Sequence, residues 1–181
     1  GSPARSGVHT IRNAPMGAHF KVEQTGRLVW KTLVTDVEFG FDGHVYISDW
    51  VNGWAMTGKG RIYRIANPKQ TFSNAPSVQE LFRKGFDKIN ANALRNLLSH
   101  PDMRVRQAAQ FQLVAKADTK SLGGIARQGK GLARLHAVWG LGQLARGGQN
   151  QDAALVPLLS DADGEVQTQA AKMLGEARSM A

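Results

Sequence analysis

Few residues in this chain combine the type and the spacing that chemistry requires. Residues 53–60 (GWAMTGKG) come nearest, with two glycines bracketing four residues and a lysine after the second. That is the order of a phosphate-binding loop up to Lys59, but Gly60 stands where a Ser or Thr would ligate magnesium. A strand pattern follows instead of a helix, so no helix N-terminus would face a phosphate. The stretch is expected to be a strand connection and not a nucleotide loop.

Other polar and aromatic candidates lie beside it. Asp36 and Asp49 sit in or next to β-type segments, where carboxylates either bind a cation or substrate at the mouth of a sheet or accept from strand-end amides. Asp42 is the turn residue of Phe41-Asp42-Gly43. Trp50 and Trp54 flank Val51-Asn52-Gly53, an arrangement suited to stacking on a sugar or base, to contacting another domain, or to covering the end of a sheet. His136, between Leu135 and Ala137, has no His or carboxylate three or four residues away, so it is expected to be packed or at the surface and not a metal ligand. His100, before Pro101, belongs to an inter-helix turn. The absence of cysteine excludes disulfides, thiolate metal sites, covalent c-type haem and a Cys nucleophile within this chain. No nucleophile–base pair and no close pair of catalytic carboxylates stands out. The sequence therefore assigns no catalytic, cofactor-binding or metal-binding residue.

Charge is unevenly distributed. The net charge of +9 arises from about +3 over residues 1–82, +9 over 83–146 and −3 over 147–181. The middle stretch carries Arg104, Arg106, Lys116, Lys120, Arg127, Lys130, Arg134 and Arg146. Such a face can attract nucleic acid, an acidic surface or a negatively charged protein. Arg106 and Arg134 each follow the first apolar residue of a repeated pattern, so stacked repeats would align them into a phosphate-binding ladder or into salt bridges between repeats. There is little aromatic interleaving for single-strand stacking.

The elements that must position these residues fall into two halves. Residues 1–17 contain Gly, Pro, Ser and Asn without sustained periodicity and are expected to be loop or partly disordered, with Gly1-Ser2 resembling a cloning scar. Residues 18–68 are expected to form an antiparallel β-meander: a weak strand at 18–23, an ambiguous segment at 27–33, then strands at 34–39, 44–49 and 61–65, with 41–43 as a tight turn. A three-stranded meander alone is marginal and wants neighbours, so it resembles one propeller blade more than a complete β domain. Residues 69–76 read as linker, and Ser77 with Glu80 reads as a capping box opening a helical region over 77–181.

Within that region 97–113 (LLSHPDMRVRQAAQFQL) and 158–174 (LLSDADGEVQTQAAKML) are self-similar. A double Leu and a polar turn precede a helix carrying Val105, Ala109 and Leu113 in the first and Val166, Ala170 and Leu174 in the second. Ala133, Ala137 and Leu141 fit the same frame between them. The pattern predicts stacked helix pairs whose small Ala residues permit close approach. No apolar run approaches membrane-spanning length, so membrane insertion is not expected.

Residues 35–65 (TDVEFGFDGHVYISDWVNGWAMTGKGRIYRI) resemble the last propeller blade of large exported proteins of planctomycetes and related bacteria, labelled membrane-bound dehydrogenases or haem-binding-domain proteins. The repeat ARLHAVWGLGQLAR (133–146) also resembles theirs. In that family a glucose/sorbosone-dehydrogenase-like β-propeller precedes HEAT-like repeats, often with a c-type cytochrome domain. The resemblance covers roughly residues 15–175. It implies an exported, periplasmic-type protein, of which this chain would be an internal fragment holding a terminal blade and the first HEAT-like repeats. Most of the propeller and the haem-attachment motif are missing, so no complete catalytic site or cofactor is expected here.

The sequence thus predicts an α+β chain: a blade-like antiparallel meander followed by a HEAT-like helical array. Its expected role is a non-catalytic scaffold linking domains of the parent chain or a protein partner, with Asp36, Asp49, Trp50, Trp54, Arg106 and Arg134 as candidate binding residues. The runner-up is a nucleic-acid or polyanion binder using the basic face at 83–146. A third reading makes the β segment part of a sugar- or alcohol-oxidising propeller site.

Overall fold

In the computed structural model, residues 6–16, 19–51, 58–69 and 75–178 are described. The chain is mixed α and β and divides into two compact units, Gly1–Pro76 and Ser77–Ala181.

The first unit holds two small antiparallel sheets. Strands β1 (Gly7–Met16) and β2 (His19–Trp30) form a long hairpin, with register shifts at Val8/His9 and Arg12/Asn13. This corrects the expectation of loop or disorder for residues 7–16; residues 1–5 and 17 lie outside the described residues. Each shift moves subsequent side chains to the other face, so the period-2 signal is lost although the ladder persists. Strands β3 (Val34–Phe39), β4 (Val45–Asp49) and β5 (Arg61–Ile65) form the second sheet in that order. Its β3–β4 turn closes where Phe41-Asp42-Gly43 predicted: the Gly43 amide donates to the Gly40 carbonyl at 3.1 Å, and Gly43 takes a φ of 80°. One face carries the cross-strand rows Val37–Ile47–Tyr63 and Phe39–Val45–Ile65. Ile47, at the centre, is 2 % exposed, whereas Phe39 is 64 % exposed.

The second unit is helical: α1 (Ala75–Lys84), α2 (Ala91–Leu97), α3 (Met103–Ala115), α4 (Thr119–Gln128), α5 (Gly131–Arg146), α6 (Asp152–Leu155) running into a 3-10 turn (Val156–Ser160), and α7 (Gly164–Glu176). Helix α1 begins before Ser77, which corrects the capping-box reading. Glu80 instead binds its own helix, accepting from Arg83 at 2.7 and 2.9 Å and pairing with Lys84 at 3.0 Å. The guanidinium and ammonium together hold the Glu80 carboxyl down to about 2.

Helices pair in order, α2 with α3, α4 with α5, and α6 with α7, while α5 packs against both α3 and α7. Val105, Ala109, Leu113, Ala133, Ala137, Leu141, Val166, Ala170 and Leu174 are all buried in one apolar core. Their spacing follows helical geometry, since positions four apart share a face.

Close approach of α5 to α7 depends on Gly142. A Cβ there would lie 2.2 Å from Met173 Sδ and 2.8 Å from Met173 Cβ. The sulfur can swing aside, but the Cβ cannot move without its helix. Gly142→Ala is expected to lower stability by about 2 kcal/mol through overpacking, read as a lower midpoint in helix-monitored urea melts. An unchanged midpoint would show that the two helices separate freely.

Candidate functional site

The β unit separates its two candidate carboxylates. Asp36 pairs across the ladder with Ser48, and Asp49 with Val34 and Arg61. Ser48 and Asp49 are consecutive on β4, so the register sends Asp36 and Asp49 to opposite faces of the sheet. Asp36 is exposed and accepts from the Val37 amide at 2.8 Å. Asp49 is buried at the strand end, where it accepts from the Val51 amide at 3.0 Å and lies 3.5 Å from the Tyr63 hydroxyl. That bond closes a turn in which Val51 adopts a φ of 59°, an unfavourable conformation for a β-branched side chain.

Trp50 is partly exposed, and its amide donates to the Leu33 carbonyl at 2.9 Å. Trp54, with most of the 53–60 connection, lies outside the described residues. The connection re-enters at Gly58 and leads into β5, a strand, as the sequence predicts. Asp42 accepts from the Tyr46 hydroxyl at 2.8 Å and the His44 amide at 3.2 Å. Desolvation raises its pKa, but these donors outweigh that and hold the carboxyl below its usual range.

The helical unit gathers its polar side chains between repeats. Arg106 is buried: its Nε donates to His136 Nε2 at 3.2 Å, and its Nη1 donates to the His100 and Pro101 carbonyls at 2.7 and 2.8 Å. An arginine cannot accept, so His136 Nε2 is unprotonated and the ring proton sits on Nδ1. From there it donates to Gln110 Oε1 at 2.7 Å, and Gln110 Nε2 donates to Gln143 Oε1 at 3.0 Å. Burial, aided by the Arg106 charge, pushes the His136 pKa down to about 4. His136 is therefore a neutral, packed histidine, edge-on to Trp139 with ring centres 4.9 Å apart.

Arg134, at the equivalent position, does the same one repeat later. Its Nε donates to the Ala126 carbonyl at 2.6 Å, its Nη2 to the Arg127 carbonyl at 3.2 Å, and its two terminal nitrogens grip the Asp161 carboxylate as a fork. The third equivalent, Gln167, donates to the Asp161 carbonyl at 2.5 Å. Each of these side chains satisfies carbonyls shortly before its own helix, Arg106 and Gln167 in the preceding turn and Arg134 in the last turn of α4. Arg106 and Arg134 are thus aligned by the repeats, but toward the interior. The identity of the residues at this repeat position was the available signal. What each would donate to depended on the turn, which the sequence did not reveal.

Other basic residues are also engaged. Arg104 pairs with Asp102 at 2.7 Å, Arg146 with Glu176, and Lys116 reaches the Asp87 carbonyl at 3.4 Å. Lys88, Arg95, Lys120, Arg127 and Lys130 make no ion pair among the described residues. Arg95 and Lys120 line a shallow groove between α2 and α4.

The second helices of the first two pairs, α3 and α5, also carry apolar side chains outside the core. Met103, Gln107 and Phe111 recur every fourth residue on α3, and Leu132, Leu135 and Trp139 share one face of α5, with Leu135 and Trp139 partly buried against the core. Phe111 and Trp139 stand at equivalent repeat positions. Met103 is 63 % exposed, Leu132 51 % and Phe111 46 %. This stripe had no counterpart among the sequence-predicted binding residues; the repeat offset applied to exposed positions would have found it.

Among the described residues, no three or more His, Cys, Asp or Glu side chains cluster as a metal site, and no helix is long and apolar enough to cross a membrane. Comparison with protein-family models, with curated proteins and with solved structures yields no match for this chain.

Proposed function

We propose that the chain is a non-catalytic interaction module in which a HEAT-like helical array, joined to a propeller-blade-like meander, binds a protein surface. The observation that carries this reading is the outward stripe of Met103, Phe111, Leu132 and half-buried Trp139 on successive second helices. Apolar and aromatic side chains in such a stripe are what protein partners bury, and several large exposed apolar residues on neighbouring helices mark a contact surface. Three helix pairs burying the same three positions support the HEAT-like description.

The β3–β4–β5 sheet supports membership of a larger sheet assembly. Ile47 is its only fully buried apolar residue among those described, while Phe39 and Ile62 stay largely exposed. A sheet of this kind gains stability from neighbours, as a blade of a propeller in an exported multidomain protein would. The test is amide exchange on this chain alone and on the same residues within their full reading frame. The expected result is protection of β3–β5 only in the longer protein; equal protection in both forms overturns the blade reading.

The polyanion-binding alternative rests on Lys88, Arg95, Lys120, Arg127 and Lys130. Fluorescence anisotropy with labelled duplex and single-stranded DNA at 50 and 200 mM salt separates it from the protein-binding reading. With most cations already engaged, at most weak binding is expected, lost between those salt concentrations. Submicromolar binding at the higher salt would instead make nucleic acid the ligand.

A further inference from the structure

We infer that the cleft between the α2–α3 turn and the start of α5 is a subsite for a carboxylate carried on an aliphatic stem. This needs only the helical unit; the cleft shares Leu132 with the stripe described above but does not rest on the function proposed from it. The cleft has a volume of about 250 Å³ and is lined by Ser99, His100, Pro101, Arg106, Lys130, Leu132 and Ala133.

Its ligand chemistry is given by the neighbouring junction of the same chain. There Arg134 holds two backbone carbonyls and, with its remaining donors, the Asp161 carboxylate. Arg106 occupies the equivalent position, is buried, and likewise holds two carbonyls through Nη1. Asp161 lies two residues before the N-cap of α7; the residue two before the N-cap of α5 is Gln128, which carries no charge. No carboxylate among the described residues pairs with Arg106, and its Nη2 has no hydrogen-bond partner among them. An arginine side chain about nine-tenths buried, whose Nη2 donors are left open to the solvent side, is matched by an external carboxylate as Arg134 is matched by an internal one.

The rest of the cleft agrees with that assignment. Lys130, the N-cap of α5, gives no side-chain cap, whereas Asp102 and Asp163 cap α3 and α7. The uncapped start of α5 and a second cation, Lys130, thus border the cleft, and both favour an anion. Pro101, Leu132 and Ala133 offer apolar contact to a short carbon stem, which inorganic anions lack.

The experiment is a proton–nitrogen correlation titration of the whole chain with sodium butyrate, and separately with the blocked peptide acetyl-Ala-Glu-Ala-amide. Sodium chloride at equal ionic strength, butyramide and the Gln peptide serve as controls. Saturable shifts are expected at Arg106 Nε–H and at the Gly131, Leu132 and Ala133 amides, with a dissociation constant on the order of 10 mM for so small a ligand. The tighter of butyrate and the Glu peptide identifies the source as a free acid or an acidic side chain. Lys130→Ala, at an exposed site, is expected to weaken binding about threefold. Gln128→Asp, which supplies an internal carboxylate, is expected to abolish the shifts while the fold is retained. The absence of saturable shifts with either probe, equal shifts with chloride or butyramide, or shifts unaffected by both variants overturns the proposal.

Discussion

Leu141→Ala is expected to destabilise the helical unit by about 4 kcal/mol, near the upper end for a buried leucine. Leu141 is fully buried on α5, the helix that packs against α3, α4 and α7. Neighbours on three sides prevent the site from collapsing, so the lost transfer energy and the cavity both count. The same substitution at Leu113 should cost nearly as much. At Leu174, which lies on α7 and retains 9 % exposure, about 2 kcal/mol is expected because water and relaxation partly fill the space. Helical ellipticity in urea melts of the three variants measures the order. A Leu174 variant as unstable as the Leu141 variant would refute the picture of a continuous core with α5 at its centre.

The second large effect is a loss of stability below neutral pH that traces to one ring. His136 is pushed from an ordinary 6.5 to about 4 in the folded chain, by burial first and by the Arg106 charge second. Unfolded chains therefore bind a proton that folded chains refuse between those values. Stability rises with pH across that window: it is fully present above about pH 7 and declines as pH falls toward 4, by on the order of 3 kcal/mol. Arg106 is the charge facing the ring, and Gln110 and Trp139 are its uncharged neighbours. His136→Gln, which can still accept from Arg106, should flatten the dependence between pH 7 and 4.5. A wild-type profile that is already flat there would refute the neutral, buried assignment. Further loss below about pH 4 has another origin. Asp102, held by Arg104, and Asp161, held by Arg134, have carboxyls lowered below their usual range, so their contribution is present above that range and lost as they protonate.

Where sequence and structure agree, side-chain period is the reason. Val105, Ala109 and Leu113 recur at helical spacing with their counterparts in the next two pairs, and all nine are buried because a helix that buries one such position buries the next. The β3–β4 turn was visible in Asp42-Gly43 because a φ of 80° requires glycine there. The β1–β2 hairpin was hidden by its two register shifts, which break alternation without breaking the ladder. The candidate site was visible only in part. Arg106 and Arg134 were singled out through repeat position, yet their direction depends on which turn carbonyls lack partners, a property of backbone geometry. The outward stripe needed the converse step, from the buried frame to what it leaves facing water.

The cross-links at 106, 134 and 146 also give the helical unit a mechanical polarity. Each runs from a helix to the following pair, Arg106 to His136, Arg134 to Asp161 and Arg146 to Glu176, so each pair is tethered by the one before it. A chain drawn by its C-terminal end would surrender α7 first, with its fork at Arg134, while the Arg106–His136–Gln110–Gln143 chain held the two earlier pairs together. Tension would therefore be resisted in steps, peeling one helix pair at a time from the end that carries the opposite charge.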